Sequence, residues 1–301
     1  MVYIKLVLTA FFWGGTFIAG KMIANSVHPV CASFLRFVIA SIFLLALTLR
    51  AEGRFPALDK KQILPVVLLG FTGVFAYNIL FLTGLKYINA SRASLIIANN
   101  PIIISVLSAI FFKERLNGIK GAGIGLSVLG AMMVISNGRM ADLGSYHIGT
   151  GELLIAGCVL SWVSYSLIGK YVMDGLSPLA SVAYSAVVGT LLLSGPALYS
   201  GLASAVFNYT IRDWMSLFYL GFFGTVLGFS WYYQGIQRIG PMKASVFINF
   251  VPISAIVLAS LILKEQITYS IIAGALMVVT GVYLTNASQF FRRYWSKVFQ
   301  R

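Results

Sequence analysis

The stretch Ala93–Glu114, ASLIIANNPIIISVLSAIFFKE, is apolar, about one membrane thickness long, and interrupted near its middle by Pro101. It occurs twice. Moving 151 residues along the chain brings Ala244–Glu265, ASVFINFVPISAIVLASLILKE, onto it without a gap. Ala93-Ser94 falls on Ala244-Ser245, Pro101-Ile102 on Pro252-Ile253, and Lys113-Glu114 on Lys264-Glu265. The register continues on both sides, pairing Gly84 with Gly235, Gly123 with Gly274 and Gly130 with Gly281. Between Gly84 and Gly130 there are 15 identities in 47 positions, and the matched prolines, Lys-Glu pairs and glycines are not commonplace letters of an apolar alphabet. One half of the chain therefore reads as a copy of the other, and an internal repeat sets the architecture.

The 301 residues are 59% hydrophobic and 10% charged. A soluble domain carries roughly 25% charged residues, and a chain of this size cannot hide so much apolar surface from water. Lipid is the expected solvent. Cys31 and Cys158 are too few for a disulfide framework. His28, His147 and the eight acids form no cluster with metal-ligand spacing, so no metal or other cofactor is expected. A net charge of +14 reads as basic residues at the cytoplasmic surface of a membrane protein, not as nucleic-acid binding.

Ten runs are long enough to cross about 30 Å of hydrocarbon: 4–24, 32–50, 62–84, 91–112, 118–136, 151–172, 178–199, 214–236, 243–263 and 269–289. With the N-terminus inside, inner loops and ends hold 15 Lys and Arg and the outer side 7, so both termini are expected in the cytoplasm, with the chain multi-pass in the inner membrane. Five helices per copy is an odd number, so the second copy enters the membrane upside down. The expected fold class is an all-α polytopic membrane protein of ten transmembrane helices in two inverted five-helix repeats, 1–138 and 151–289. A connecting loop at 139–150 joins them, and a basic aromatic tail at 290–301 lies along the inner interface. Inverted repeats suit a secondary transporter, whose site lies near the midplane between the halves.

These residues carry a family resemblance. Trp13-Gly14 with Gly20-Lys21, Arg36-Phe37, the Pro-centred fourth and ninth helices ending in Lys-Glu, and the glycine-rich helices that follow are similar to EamA-type permeases of the drug/metabolite transporter superfamily. The resemblance implies alternating access around a cavity lined by helices 1, 3, 4, 6, 8 and 9, with helices 5 and 10 at the periphery. It fixes no substrate, since such proteins move amino acids, drugs and other metabolites.

The residues themselves give the candidates. Pro101 and Pro252 each remove a helix hydrogen bond, so they read as matched hinges beside the cavity or as static kinks. Asn100 and Asn249 place amides at membrane depth, which is costly unless they face a partner or a cavity; they are expected to contact the solute or to bridge helices. Trp13 and Lys21 share one helix face, and Trp162 and Lys170 repeat it. The lysines either snorkel to the interfaces or guard the two mouths of the cavity and meet an anionic group. Tyr77, Asn78, Tyr165, Trp231 and Tyr232 are further substrate-contact candidates, because buried Tyr and Trp need a partner for their polar atom.

Arg36, about one turn inside its helix, is expected to be structural or gating. Glu114 and Glu265 stand just before helices 5 and 10, where a carboxylate complements the helix dipole; they too are structural or gating candidates. No acid falls at mid-membrane, which argues against a dedicated organic-cation site and a buried proton switch. A neutral, zwitterionic or anionic solute fits better, with a small-molecule solute and the bilayer as partners; the sequence does not set the oligomeric state, and a monomer is one option. The alternative is a multidrug exporter. An intramembrane enzyme lacks a nucleophile with a buried base, no catalytic residue is expected, and a channel lacks a filter-like segment.

Overall fold

The computed structural model describes residues 1–111, 118–135 and 148–298, and every regular element among them is helical. Glu114 and most of the 139–150 connection lie outside the described residues. In chain order the principal helices are α1 Val2–Ile23, α2 Pro29–Glu52, α3 Lys60–Tyr87, α4 Ala90–Ile97, α5 Asn100–Phe111, α6 Gly118–Ile135, α7 Thr150–Val172, α8 Pro178–Tyr199, α9 Ile211–Ile239, α10 Phe250–Leu258 and α11 Tyr269–Val298. Six of them, α1, α2, α3, α7, α8 and α9, are each long and apolar enough to cross a membrane. Their outward faces expose Phe11, Ile42, Leu47, Phe71, Leu160 and Leu191, side chains that water would not tolerate in such number.

Corresponding helices of the two halves start with the same chemistry. Pro29 opens α2 and Pro178 opens α8, where a missing N–H is harmless and the ring presets φ. Asp59 and Gln62 form a capping box at α3, and Thr210 and Asp213 form the matching box at α9. The ends of the halves are then tied together. The Ser26 hydroxyl donates to Asp213 Oδ1 at 2.6 Å, and the Ser177 hydroxyl donates to the Glu52 carboxylate.

Pro101 follows a short interruption of its helix, whereas Pro252 lies in a helical run that is unbroken over 241–263. In the first half the helix stops at Ile97 and restarts at Asn100, with Ile102 N–H donating to Asn99 O at 3.0 Å. In the second, Pro241–Ser245 runs into a 3-10 turn, Val246–Asn249, before α10. Pro101 thus stands in the first turn after the break, where the helix asks for no amide hydrogen. In the first half the interruption leaves two shorter helices where the sequence predicts one span; in the second the run only tightens to a 3-10 turn.

Three π segments have no counterpart in the sequence reading; one, Ala259–Leu263, follows α10, and the other two fall at corresponding positions of the halves. α3 widens into a π-helix at Gly70–Ala76 and α9 at Leu220–Leu227, corresponding positions of the two halves. Side chains use the displaced carbonyls. Asn78 Nδ2 donates to Gly73 O (3.2 Å) and Val74 O (2.8 Å), and Thr225 Oγ1 donates to Leu220 O (3.1 Å).

Packing pairs come in exchangeable sets. α1 lies on α10 and α9, while α7 lies on α4, α5 and α3; α2 lies on α8. α6 lies along α11, set apart from the aromatic centre. At that contact a Cβ on Gly130 would sit 2.8 Å from Gly274 O, and one on Gly281 would sit 2.5 Å from Gly123 O and 2.6 Å from Ser127 N. The two helices are therefore antiparallel, backbone against backbone, with reciprocal contacts.

Candidate functional site

Helices from both halves converge on one aromatic cavity. Trp13, Thr16 and Phe17 come from α1, Arg36 from α2, Tyr77 and Phe81 from α3, and Ile97 and Asn100 from the break between α4 and α5. The second half supplies Trp162 from α7, Phe229 from α9, Ile248 from the 3-10 turn and Val251 from α10. Ile97 and Ile248, and Asn100 and Val251, are partners at the repeat spacing. Pro101 and Pro252 have no N–H for the carbonyls of Ile97 and Ile248, and Ile248 O accepts from Phe250 N–H instead.

The rings interlock edge to face. Trp13 and Trp162 lie 5.1 Å apart at 85°, Trp162 and Phe229 5.0 Å at 72°, and Phe17 and Phe81 5.0 Å at 84°. Trp13 Nε1 donates to Gly224 O at 2.9 Å, inside the π segment of α9, which fixes the indole across the boundary between halves. The empty space is ≈ 420 Å³, of which ≈ 30 Å³ can hold the centre of a water molecule. That is room for two or three waters, so the cavity is narrow in this conformation.

One charged side chain lines the space. Arg36 is 2% exposed, about 10 Å along α2 from its start by helical rise. Its Nη1 donates to Asn78 Oδ1 at 2.6 Å and its Nε donates to Thr225 Oγ1 at 3.0 Å. Among the described residues no carboxylate reaches ion-pair distance of it; the ion pair found there joins Arg92 to Glu152 at 2.9 Å. A buried guanidinium held by neutral acceptors alone keeps its charge uncompensated. Asn100 lines the same space with Oδ1 buried and without a hydrogen-bond donor, and Asn249 Oδ1 is likewise unpartnered. Asn249 is not on the cavity wall, so the site combines one cation, the one unpaired amide oxygen of Asn100 and an aromatic wall.

The other predicted residues are placed as follows. Asn78 touches Arg36 and does not itself line the cavity. Tyr165 and Tyr232 are fully buried behind the aromatic wall, Tyr165 OH with Ser185 Oγ at 3.1 Å and Tyr232 against both tryptophans. Trp231 points away, packing on Phe12 and under the Lys5 ammonium, because its neighbour on the helix takes the inward position. Lys21 is also off the cavity: its Nζ donates to Leu85 O (2.7 Å) and Ile88 O (2.9 Å), main-chain acceptors at the end of α3. Lys170 is exposed at the end of α7.

Glu265 does not serve the helix that follows it, whose first turn is bonded by Thr268. Lys264, left-handed at φ 57°, turns the chain so that Glu265 receives Ala90 N–H (3.0 Å), Ser91 N–H (3.3 Å) and Ser91 Oγ–H (2.7 Å). It caps α4 of the other half. Thr16, Ile97, Phe229, Ile248 and Val251 line the cavity without having been singled out, since a small or apolar letter in an apolar helix carries little positional signal.

A bundle of long apolar helices around a narrow, polar-centred aromatic cavity defines a polytopic membrane protein of the transporter class. The sequence profile of the EamA-like transporter family matches residues 1–136 and again 149–287, and the chain belongs to that family. It is 29% identical over 282 residues to "Uncharacterized transporter YyaM" of Bacillus subtilis (strain 168), covering 93% of this chain and 92% of that protein. It is 28% identical over 292 residues to a "Probable terminal-alkyne amino-acid exporter" of Streptantibioticus cattleyicolor, covering 96% and 94%. A solved crystal structure shares the fold at TM-score 0.66 and 20% identity, over 93% of this chain and 95% of that one.

Proposed function

We propose that this chain is a secondary transporter, not an enzyme, that exports a small neutral, zwitterionic or anionic metabolite, an amino acid or a relative, by alternating access. In this reading ten helices form two inverted repeats, 1–138 and 151–289, joined by 139–150, with the tail 290–301 and both termini in the cytoplasm and the protein in the inner membrane. A monomer in the bilayer suffices, and nucleic acid plays no part. The reciprocal antiparallel contact of α6 with α11 supports the inversion, as do the family profile matching twice and the exchangeable packing pairs.

The observation that carries the reading is the aromatic cavity walled by both halves, with Arg36 as its charge and, among the described residues, no carboxylate on its wall. A guanidinium takes a carboxylate bidentately and repels an organic cation. The relative named as an amino-acid exporter agrees with this chemistry.

A thermal-shift screen of the purified protein tests it. Amino acids and other carboxylate-bearing solutes are expected to raise the melting temperature, by about 2.7 kcal/mol of stabilisation at a hundredfold excess over Kd. Quaternary ammonium compounds are expected to have no effect, and stabilisation by cations alone would sink the assignment. Counterflow in liposomes reads the mechanism: saturable exchange of labelled solute is expected, and flux that rises without limit would mean a pore.

A further inference from the structure

We infer that Arg36 is a transferable clamp: it ties the π segments of α3 and α9 together in this conformation, and the carboxylate of the solute takes it over on binding. This rests on the carboxylate-transport reading above.

Four observations carry it. Arg36 bonds Asn78 on one side and Thr225 on the other, so one side chain of α2 joins a helix from each half. Both acceptors are anchored in π segments, each through the carbonyl five residues back: Asn78 to Gly73 and Thr225 to Leu220. π segments are local defects in the helical ladder, frequent at functional sites, where the hydrogen-bond register has an alternative. The clamp also stands on the wall of the cavity, so a ligand in that space meets it directly.

The bonds that hold this conformation are charge-to-neutral. A carboxylate offers the same guanidinium two charged acceptors in matching geometry, which is the stronger arrangement. Once the guanidinium turns to it, Asn78 and Thr225 keep only their own helices' carbonyls, and α3 and α9 lose their common tie. Binding and conformational release then use one group, and the solute shifts the equilibrium by its preference for the unclamped state. The clamp has no copy in the other half. The repeat partners of Arg36, Asn78 and Thr225 are Ser185, Phe229 and Val74.

The test uses the full-length protein in detergent and L-leucine and L-phenylalanine, each against its methyl ester, which keeps the ammonium and side chain and removes the carboxylate. For the native protein the acid is expected to bind at least tenfold more tightly than the ester. Thr225→Val removes one competing acceptor at nearly constant volume and is expected to tighten acid binding roughly tenfold while leaving ester binding unchanged, since a hydrogen bond to a charged group must otherwise be broken. Arg36→Gln is expected to erase the preference for acid over ester, and Arg36→Lys to restore part of it.

Unchanged or weaker acid binding by Thr225→Val overturns the clamp, as does an acid preference that survives Arg36→Gln. If Arg36→Gln does not yield folded protein, Thr225→Val decides alone. A native protein that binds acid and ester equally overturns the carboxylate reading and the clamp together. One that prefers the acid, with Thr225→Val unaltered, leaves that reading standing and removes only the clamp.

Discussion

Gly281→Val is expected to abolish the folded, monodisperse protein, and Gly130→Val to do the same. At both positions the atoms within 3 Å of an added Cβ are main chain or a Cβ fixed to it: Gly123 O, Ser127 N and Ser127 Cβ for Gly281, and Gly274 O, Met277 Cβ and Val278 N for Gly130. A flexible side chain can swing aside; a helix backbone cannot, so α6 and α11 must separate along their length. In lipid there is no hydrophobic term to compensate, because lipid tails are as apolar as the helix faces they would replace, and close packing through small residues is what holds helices together. Overpacking in a tight interior costs about 1–3 kcal/mol and at times more, and here the strain falls on two backbones at once. Gly281→Ala should give a graded loss. Gly125→Ala, on the same helix as Gly130 but with open space around its Cβ, is the matched control and should leave stability unchanged or slightly higher. Size-exclusion profiles and thermal unfolding of the purified variants decide the matter. A Gly281→Val protein that elutes and melts like the native one would refute the contact.

Glu265→Ala is expected to open one face of the protein and to depress solute exchange. Glu265 belongs to the second half and accepts three hydrogen bonds at the start of α4 in the first, beside Lys21, which bonds the end of α3. Loss of a capping acceptor costs about 1 kcal/mol, and an anion at a helix N-terminus adds up to about 1 more. Every 1.4 kcal/mol moves a two-state ratio tenfold, so the closed-to-open ratio at this face should fall by about that factor. The measurement is labelling of Ile97→Cys, on the cavity wall, by a membrane-impermeant maleimide, with the buried Cys31 and Cys158 replaced by alanine. Labelling should accelerate strongly in Glu265→Ala and modestly in Glu265→Gln, which keeps an oxygen acceptor and loses the charge. Equal labelling rates in all three proteins would mean that this contact does not hold the face shut.

Much of the fold was legible before any coordinates, because the repeat is written in letters that tolerate little substitution. Pro101 and Pro252 marked the irregular segments, although a proline announces only that an amide is missing. Whether the chain answers with a bend or with a break and a restart depends on what packs around it. The π segments at Gly70–Ala76 and Leu220–Leu227 left no signal at all, since one extra residue in a turn does not disturb a uniformly apolar pattern. The aromatic pair Trp13 and Trp162, Tyr77 and Asn100 were found by spacing and by the cost of burying polar atoms. Arg36 was visible as a charge inside a helix, but its place near one end permitted an outward path to solvent. Only the contacts with Asn78 and Thr225, from helices far away in sequence, fix its direction inward. Glu265 was misdirected for a similar reason: the left-handed backbone at Lys264 turns it from its own helix to another.

The inequality between Arg36 and its partner Ser185 has a consequence for kinetics. A carrier with identical halves would present the same half-saturation concentration on both membrane faces. Here the guanidinium stands in only one half, so on the clamp proposed above the solute meets a different well depth according to the side from which it enters. Without an energy source the ratio of maximal rate to half-saturation concentration must still be equal in the two directions. A lower half-saturation concentration on one face is therefore tied to a proportionally lower maximal rate from that face. Measured in vesicles of known orientation, this protein should show fast, low-affinity movement one way and slow, high-affinity movement the other, with net flow set by the gradient alone.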